Sequence, residues 1–324
     1  MKAVQHTQYG GPEVLAIAEV DKPIPEAGQL LIEVHAASVN RTDCAILSAQ
    51  PFIMRFFTGL LRPRLSITGT DFAGVVKEAG ANTHRFKAGD RVFGFNDRGL
   101  SSHAGYLCIP ENKAIALIPG GFTFQQAAAS LEAAHYAYYF IHKIKISRGQ
   151  KVLINGATGG IGSALVQFMK YYGADITATC RAEHFELVKS IGADEVIDYT
   201  TTDFARSDVQ YDLILDAVGK SSYKRCKRSL SPAGLYISSE AGPFAQNIFL
   251  SMLRPLTGGK KVIFPVPGSI QESMDFVQGL ISKGEFKPLI DREFTLEQIK
   301  EAFQYVASGQ KLGNVLIRMN VEQK

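Results

Sequence analysis

An apolar run leads directly into a glycine cluster near the middle of this chain, and this feature limits the fold more than any other. Residues 151–162 read Lys-Val-Leu-Ile-Asn-Gly-Ala-Thr-Gly-Gly-Ile-Gly, and a helix-compatible segment, 163–172, follows. A strand that turns through glycines into a helix presents backbone N–H groups and the positive helix end to an anion, as in dinucleotide-binding loops. Ala157 replaces the first glycine of the G-x-G-x-x-G pattern, so the assignment as a dinucleotide-binding loop also needs support from the surrounding sequence.

Strand-like and helix-like segments alternate after this loop. Strands are predicted at 175–180, 195–198, 211–216 and 234–238, and helices at 163–172, 182–191 and 221–230. Strands that alternate with helices of about ten residues indicate a parallel sheet covered on both faces. Together with the glycine loop, this pattern predicts a doubly wound Rossmann-type α/β domain. The alternative is an α/β domain whose glycine turn binds nothing.

The first 120 residues follow a different pattern. Short strand-like segments separated by Pro or Gly turns predict an all-β unit, with strands at 14–20, 29–36, 74–79, 91–95 and 106–110. Near Pro119-Gly120-Gly121 the pattern changes to a long, Ala- and aromatic-rich helical stretch at 124–145, so the domain boundary is placed there. The C-terminal part predicts helices at 271–283 and 296–308 and a strand at 314–319.

Composition excludes several classes of protein. The chain has 324 residues, of which 46% are hydrophobic, and its net charge of +4 is too small to indicate a nucleic-acid partner. Its four cysteines form no C-x-x-C pair, which argues against a disulfide framework or a zinc module and favours reduced thiols in the cytoplasm. The N-terminus lacks a signal-peptide core, and no apolar run is long enough to predict a transmembrane segment.

Several segments together carry a family resemblance. They are Met1-Lys-Ala-Val, Tyr9-Gly-Gly-Pro-Glu-Val-Leu15, Val34-His-Ala-Ala-Ser-Val-Asn40, Gly69-Thr-Asp-Phe-Ala-Gly74, Phe86-Lys-Ala-Gly-Asp-Arg-Val-Phe93 and the loop at 155–162. The chain resembles the medium-chain dehydrogenase/reductase superfamily over essentially its whole length, and within it the zinc-free quinone oxidoreductase and enoyl reductase branch. The resemblance implies a GroES-like β domain, residues 1–121 and 266–324, around a Rossmann domain, 122–265. The active site would lie in the cleft between them.

The resemblance also bears on metal binding. A catalytic zinc ion needs three Cys, His or carboxylate ligands and an open fourth position. Zinc alcohol dehydrogenases of this superfamily have a Cys where this chain has Asn40, and a His and a Glu where it has Thr70 and Asp71. We therefore expect no metal. Without a Lewis acid, carbonyl and alcohol chemistry loses stabilisation, so hydride transfer to a quinone or an activated alkene is favoured.

The resemblance implies that Asn40 is a catalytic-site residue facing the nicotinamide ribose and the substrate. The alternative is a turn-forming Asn at a strand end. Asp43 could bond a hydroxyl group or cap a helix that starts at Cys44, and the cap is the favoured interpretation. Many quinone reductases of the branch carry a Tyr where Ala45 stands, so a Tyr proton donor is excluded at that position. The proton would then come from water.

The end of the second predicted strand bears on cofactor choice. An NAD-binding domain needs a carboxylate about 20 residues after the glycine loop, but here the sequence is Thr179-Cys180-Arg181. Arg181 could pair with a 2′-phosphate, and the resemblance implies that Tyr199 contacts the same phosphate. This predicts NADPH as the cofactor, the alternative being that Arg181 is simply exposed. The expected cofactor contacts are Thr158, Gly159, Gly160, Ile161, Cys180, Arg181, Tyr199, Val218 and Ser238.

Substrate-pocket candidates come from two places. His135 and Tyr136 lie where relatives approach the nicotinamide, although packing in the core explains them equally well. Phe52 and Met54 belong to an apolar segment, 48–66, which with a second one at 244–256 could line a substrate pocket, touch lipid at the membrane surface, or simply pack. Tyr139 and Lys143 spell the Y-x-x-x-K pair of short-chain dehydrogenases, but they precede the glycine loop and are discounted.

These observations predict an NADPH-dependent oxidoreductase that transfers hydride to a small apolar electrophile, a quinone or an α,β-unsaturated carbonyl compound. Two other functions stay open, namely a catalytically silent NADPH-binding redox sensor or scaffold, and a zinc-free carbonyl or alcohol dehydrogenase. The segment 260–265 reads as the edge strand of the Rossmann sheet, and relatives pair two chains at this strand. A homodimer is therefore expected.

Overall fold

The computed structural model describes residues 1–206, 208–242, 245–253 and 260–319. The strands, in chain order, are β1 Lys2–Gln5, β2 Ala16–Glu19, β3 Gln29–Val39, β4 Asp71–Ala79, β5 Arg91–Phe95, β6 Tyr106–Pro110, β7 Ile115–Leu117, β8 Lys151–Asn155, β9 Asp175–Cys180, β10 Glu195–Asp198, β11 Tyr211–Asp216, β12 Leu230–Ser238, β13 Lys261–Ile263, β14 Ile290–Thr295 and β15 Asn314–Arg318. The α-helices are α1 Arg41–Ser48, α2 Met54–Thr58, α3 Phe124–Ala129, α4 Glu132–Ile141, α5 Gly160–Tyr171, α6 Phe185–Ser190, α7 Tyr223–Cys226, α8 Gln246–Met252, α9 Ile270–Ser282 and α10 Ile299–Ala307.

The chain divides into two compact units. The first contains Met1–Glu132, Ile270–Ser282 and the chain from Lys287 onward, and the second contains Ala133–Ser269 and Lys283–Phe286. The first unit is therefore discontinuous in sequence, as expected of a β domain split around a Rossmann domain. The finer domain limits, 1–121 with 266–324 and 122–265, stay a prediction.

The first unit is built on a seven-stranded sheet. Its order is β14-β15-β3-β4-β5-β7, and β6 pairs with β3 beside this path. β14 and β15 run parallel, whereas β3 pairs antiparallel with β15, β4 and β6. One buried cluster joins the sheet to α10 through Phe72 and Phe303, and a second joins it to α3 through Phe93 and Ala127. This architecture confirms the expected GroES-like domain.

The second unit contains a six-stranded sheet in which every pair of neighbours is parallel. Its order is β10-β9-β8-β11-β12-β13. β8, the first strand of this sheet in the sequence, lies inside it, and the strand order reverses between β8 and β11. This is the strand order of a doubly wound dinucleotide-binding fold, in which ligands bind at the reversal. The predicted Rossmann fold is confirmed.

Two predicted helices differ from the structure. The stretch 124–145 forms two helices, because α3 ends at Ala129. Its C-cap, Ser130, has φ −91° and ψ 6°, and the Ser130 hydroxyl donates to the carbonyl of Gln126 at 2.7 Å. Such side-chain bonds to the backbone compete with helix continuation. The helix predicted at 221–230 is only the short α7 with a 3₁₀ turn, Lys227–Ser229, because Leu230 already begins β12. Within the described residues, no helix has the length and apolarity needed to cross a bilayer.

Candidate cofactor and active sites

The glycine turn after β8 is tightly packed at one glycine and open at another. Gly156 has a positive φ of 85°, and a Cβ on Gly162 would lie 2.1 Å from the carbonyl oxygen of Gly156. Around a Cβ on Gly159, the nearest atom in the described chain would be 3.6 Å away. Gly162 is therefore required for packing, whereas Gly159 leaves space. Ala157, which departs from the glycine pattern, is fully buried and causes no protrusion.

The N-terminus of α5 meets the requirements of a phosphate site. Gly159 is its N-cap, and no acidic side chain stands in its first turn. The first N–H groups of a helix have no partner within the helix, and they carry partial positive charge. Four predicted cofactor contacts lie at this helix start, namely Thr158 just before the N-cap, Gly159 as the N-cap, and Gly160 and Ile161 in the first turn. The residues present therefore fit a bound pyrophosphate group.

A buried hydrogen-bond network joins four neighbouring strand ends at the reversal of the sheet. Asp216 accepts from Asn155 Nδ2 at 2.9 Å and from the Tyr236 hydroxyl at 2.8 Å. Thr179 Oγ1 donates to Asn155 Oδ1 at 2.8 Å and accepts the N–H of Gly156 at 3.0 Å. Sequence reasoning missed this network, although a polar residue at the end of an apolar strand is a signal for it.

The two residues predicted to bind a 2′-phosphate, Arg181 and Tyr199, lie next to each other in the structure. Arg181 Nε donates to the Tyr199 hydroxyl at 3.2 Å, although the two residues are 18 positions apart. Both side chains are exposed, and Tyr199 keeps 51% of its surface open to solvent. β9 and β10 pair in parallel, which places Cys180 opposite Asp198 and brings the two residues together. An exposed guanidinium beside a phenol fits a phosphate group.

The other predicted cofactor residues are less accessible. The side chains of Cys180 and Ser238 are each 1% exposed, so a cofactor could contact mainly their backbone. Val218 packs against Gly156, because a Cβ there would lie 2.4 Å from Val218 Cγ1. His135 is buried against the rings of Tyr136 and Tyr139, and burial lowers its pKa to about 4. Tyr139 itself is buried, and its hydroxyl donates to the carbonyl of Ser269 at 3.1 Å.

Asn40 lies in a buried polar network in the first unit. Its Nδ2 donates to Ser38 Oγ at 2.6 Å and to Asp71 Oδ2 at 3.0 Å. Asp71 also accepts the N–H of Ser38 at 2.6 Å and the Ser38 hydroxyl. Burial raises the pKa of Asp71 to about 6, although the bonds from Ser38 and Asn40 lower it. The amide nitrogen of Asn40 is therefore directed at a carboxylate.

A buried histidine, His103, hydrogen-bonds to the backbone of Ser38 in this network. The Nε2 of His103 donates to the carbonyl of Ser38 at 3.0 Å, and the Thr68 hydroxyl lies 2.8 Å from Nδ1. Burial lowers the pKa of His103 to about 4, so the ring is neutral near pH 7. A carbonyl only accepts, so the proton is on Nε2 and Thr68 donates to Nδ1. This tautomer fixes Ser38.

The structure corrects the interpretation of Asp43 as an N-cap. α1 begins at Arg41 with Asn40 as its N-cap, so Asp43 is the third residue of the helix. Its Oδ2 reaches back to accept the N–H of Asn40 at 2.8 Å. An acidic side chain at this position satisfies a free N–H at the helix start, as in a capping box. The cap prediction was therefore misplaced by three residues.

A second buried carboxyl, Glu132, lies close to Asp43, and sequence reasoning missed it. The hydroxyl of Thr70 is 3.3 Å from both Asp43 Oδ2 and Glu132 Oε2, and the Thr42 hydroxyl donates to Glu132 Oε1 at 2.8 Å. Burial raises the pKa of Glu132 to about 8. Burial also raises the pKa of Asp43 well above its usual value, and the nearby Glu132 raises it further. The sequence signal for Glu132 was a single acidic residue within an Ala-rich segment.

The apolar segments have many exposed side chains. Phe52, predicted to line a substrate pocket, is 63% exposed, and Met54 is partly buried at the start of α2. The exposed large apolar side chains between 52 and 65 are Phe52, Ile53, Phe56, Phe57, Leu60, Leu61 and Leu65. In the second segment Phe249, Met252 and Leu253 are exposed, and positions 244 and 254–256 lie outside the described residues.

Possible metal ligands do not converge in the described part of the chain. No group of three or more His, Cys, Asp or Glu side chains there could hold a metal ion. Asn40 and Thr70, which stand where the resemblance implies ligands in zinc enzymes, instead bond to carboxyl groups. The hydrogens of both groups are therefore used in hydrogen bonds to carboxyl groups.

Comparison with known proteins agrees with this architecture. Residues 26–136 match the family described as alcohol dehydrogenase GroES-like domain, and residues 191–317 match the family described as zinc-binding dehydrogenase. The chain is 31% identical to a chloroplastic quinone-oxidoreductase homolog of Spinacia oleracea, with 98% of both chains covered. It is 29% identical to a chloroplastic NADPH-dependent alkenal/one oxidoreductase of Arabidopsis thaliana, covering 98% of this chain and 79% of the relative. A quinone oxidoreductase structure from Coxiella burnetii superimposes with a TM-score of 0.84, at 25% identity and 99% coverage of both chains.

Proposed function

Because the chain belongs to the quinone oxidoreductase branch of the medium-chain dehydrogenase/reductase superfamily, we propose that it reduces a quinone or an α,β-unsaturated carbonyl compound with NADPH and without zinc. The observation that carries the proposal is the hydrogen bonding of Asn40 and Thr70. Both side chains donate to buried carboxyl groups, which supports a site without a metal. Acceptors that need no Lewis acid suit such a site.

When bound, the reduced nicotinamide supplies a hydride. The chain's own residues would bind and orient the reactants. The start of α5 would hold the pyrophosphate, and Arg181 with Tyr199 would hold the 2′-phosphate. We also propose that Asn40 helps to orient the nicotinamide and the acceptor. Its fixed partners, Ser38 and Asp71, support that role because they hold the amide in one orientation.

The acceptor class can be tested with one quinone, one enone and one simple aldehyde, each with NADPH and with or without a chelator. We expect turnover of the quinone and the enone, unaffected by the chelator, and no turnover of the aldehyde, whose alkoxide would form without an electrophile. Asn40→Ala should lower turnover by roughly 10- to 100-fold through lost orientation. Aldehyde turnover equal to that of the quinone would support a carbonyl reductase, and absence of NADPH oxidation would support a binding-only protein.

Arg181 is expected to set the preference for NADPH. Wild-type protein should bind NADPH at least ~10-fold more tightly than NADH, because an exposed guanidinium is present and no carboxylate ends β9. Arg181→Ala should remove most of this difference and leave NADH affinity nearly unchanged. Fluorescence titration of both cofactors measures it, with the exposed Arg228→Ala as the control. Equal affinities in the wild-type protein would refute the assignment.

We further propose a homodimer. Among the described residues, β13 is the last strand of the Rossmann sheet, next to β12, so its outer edge is a template for a second copy. Pro265 and Pro267 follow it and would limit the length of an intermolecular ladder. The mass of a single chain in light scattering at micromolar concentration would contradict the dimer.

The proposed location is the cytoplasm. All four cysteines, which lie in the described residues, are free, which supports a reducing compartment.

A peripheral contact with lipid is also proposed for the apolar segment 52–65. Its exposed side chains and the exposed Arg62 and Arg64 support binding to an anionic membrane surface. Cosedimentation with anionic and neutral vesicles tests the contact, and absence of binding to both would exclude it.

A further inference from the structure

A cavity of about 210 Å³ lies within the first unit, bordered by α1, by the chain before β4 and by the chain after β5. A cavity on the order of 150 Å³ is enough to hold a benzene-sized ring. The volume therefore admits one six-membered ring with small substituents. The predicted pocket residues Phe52 and Met54 do not line it. Its large apolar side chains are those of Ile46, Phe57, Leu65 and Ile67.

The wall of this cavity contains a carboxyl oxygen without a partner. Asp43 is 2% exposed, and its Oδ2 accepts the backbone N–H of Asn40 at 2.8 Å and lies 3.3 Å from the Thr70 hydroxyl. The other oxygen, Oδ1, is buried and has no hydrogen-bond partner among the described residues. Buried polar atoms are nearly always satisfied. A group inside the cavity is therefore expected to bond to Asp43 Oδ1.

A second polar atom of the same wall is also left open. Nδ1 of His6, which follows β1, is buried and has no partner within the part of the chain that the structure describes. Asp43 and His6 thus border one cavity from two different elements. A hydroxyl group donates one hydrogen and accepts others, so it can bond to a carboxyl group in either protonation state and to either tautomer of a ring. The two open atoms therefore favour a ligand that carries a hydroxyl group.

The remaining polar side chains of the wall include two arginines. Arg64 and Arg98 line the cavity and are exposed, which places an opening to solvent beside them. Neither forms an ion pair among the described residues. A guanidinium group binds a carboxylate through two parallel hydrogen bonds, whereas it repels an amine. The open side of the cavity therefore favours an anionic group on the ligand.

We propose that this cavity is a binding site for a monocyclic hydroxyaryl carboxylate, of which 4-hydroxybenzoate is the simplest example. The hydroxyl group bonds to Asp43 Oδ1, the ring packs against Ile46 and Ile67, and the carboxylate pairs with Arg64 and Arg98. Phenol would leave the guanidinium groups without an anion, and benzoate would leave Asp43 Oδ1 without a partner. Binding needs neither a cofactor nor turnover, so this inference goes beyond the proposed reductase function and does not depend on it.

The carboxyl group of Asp43 connects the ligand to the start of α1. Its Oδ1 bonds to the ligand, while its Oδ2 holds the backbone N–H of Asn40, the N-cap of α1. The amide resonance of Asn40 in a heteronuclear NMR spectrum therefore reports contact at the hydroxyl end. It should shift on addition of 4-hydroxybenzoate and much less with benzoate. The amide of Asn82, an exposed residue that does not line the cavity, should stay unchanged.

Isothermal titration calorimetry with the purified protein tests the two ends of the ligand separately. We expect one 4-hydroxybenzoate per chain. Benzoate should bind roughly 10-fold more weakly because it has no hydroxyl for Asp43, and phenol roughly 10-fold more weakly because it has no charge for the arginines. 4-Hydroxybenzoate should also raise the melting temperature as its concentration increases, since it binds only the folded chain.

Variants locate the ligand on the protein. Arg64→Ala combined with Arg98→Ala should weaken 4-hydroxybenzoate binding roughly 10-fold and leave phenol binding unchanged. Ile46→Phe, which adds a ring to the wall, should abolish binding of all three compounds. Arg62→Ala is the matched control, because Arg62 is exposed in the same segment but does not line the cavity. Circular dichroism confirms that each variant is folded, and if Ile46→Phe is not, the arginine variants and the Asn40 resonance still decide.

Three results would overturn the proposal. Absence of saturable binding of 4-hydroxybenzoate at millimolar concentration would leave the open atoms to water. Full affinity in the folded Ile46→Phe variant or in the double arginine variant would place the ligand elsewhere on the chain. An unshifted Asn40 resonance at saturation would exclude the bond to Asp43. Failure to reduce quinones and enones would bear only on the reductase function, because calorimetry and NMR measure binding without turnover.

Discussion

Gly162→Ala is expected to lower the melting temperature of the protein by about 6–12 °C and to abolish measurable NADPH binding. The new Cβ would lie 2.1 Å from the carbonyl oxygen of Gly156, 2.8 Å from its carbonyl carbon and 3.0 Å from the Cα of Ala157. All three are backbone atoms, so no side-chain rotation relieves the clash. Overpacking of this kind costs about 3 kcal/mol. The shift of α5 against β8 would also displace the N–H groups proposed to bind the pyrophosphate.

Gly159→Ala is the matched control, because its Cβ would meet no described atom closer than 3.6 Å. We expect its melting temperature to stay within about 2 °C of wild type, while its NADPH affinity falls because the methyl group occupies the open turn. Calorimetry and fluorescence titration separate the two effects. A Gly162→Ala protein with wild-type melting temperature would contradict the packing argument, and full NADPH affinity in Gly159→Ala would contradict the placement of the phosphate.

Asp216→Ala is expected to reduce the free energy of unfolding by about 3–5 kcal/mol. Asp216 is fully buried and accepts from Asn155, from Tyr236 and from the backbone N–H groups of Val218 and Ser221. Its removal leaves these donors buried without an acceptor, and each unsatisfied group costs about 1–3 kcal/mol. Urea unfolding measures the change. Asp208→Ala, whose side chain is fully exposed, should unfold as wild type does.

Tyr236→Phe leaves Asp216 in place. A loss of stability in this variant would therefore come from the missing hydrogen bond and not from the removal of a carboxyl group. That variant removes one donor and leaves Asp216 with its other partners, so we expect about 1 kcal/mol. If Asp216→Ala were as stable as the wild type, the hydrogen bonds at the strand ends would contribute nothing to folding.

The strands of the Rossmann sheet were predictable because a parallel sheet buries both faces of each strand. β9, β10 and β11 have the predicted bounds, since each is a short β-rich run followed by a turn residue or a helix signal. The single helix predicted at 124–145 was wrong, because the composition of the stretch favours helix throughout. The structure has α3 and α4 there, separated by Ser130 and Leu131. The bond from the Ser130 hydroxyl to Gln126 competes with helix continuation, and helix propensity does not record such local bonds.

Arg181 and Glu132 differ in how far the sequence could locate them. The role of Arg181 in cofactor binding stays a prediction, but its place after the second strand was predicted, because that spacing is fixed by the fold. Glu132 was not, because it lies 62 residues from Thr70 in sequence and belongs to a segment read as an ordinary apolar helix. Its importance depends on burial next to Asp43, which reverses the usual protonation of a carboxyl.

The network of Asn155, Thr179, Asp216 and Tyr236 has a consequence for ligand affinity. These side chains tie together the ends of β9, β8, β11 and β12, where the strand order reverses. When a dinucleotide binds there, these side chains are already held by hydrogen bonds, so binding does not have to order them. The entropy of fixing that surface is lost once, when the chain folds, and not again at each round of cofactor exchange. Repeated exchange of a cofactor and a precise binding geometry are therefore compatible in this sheet.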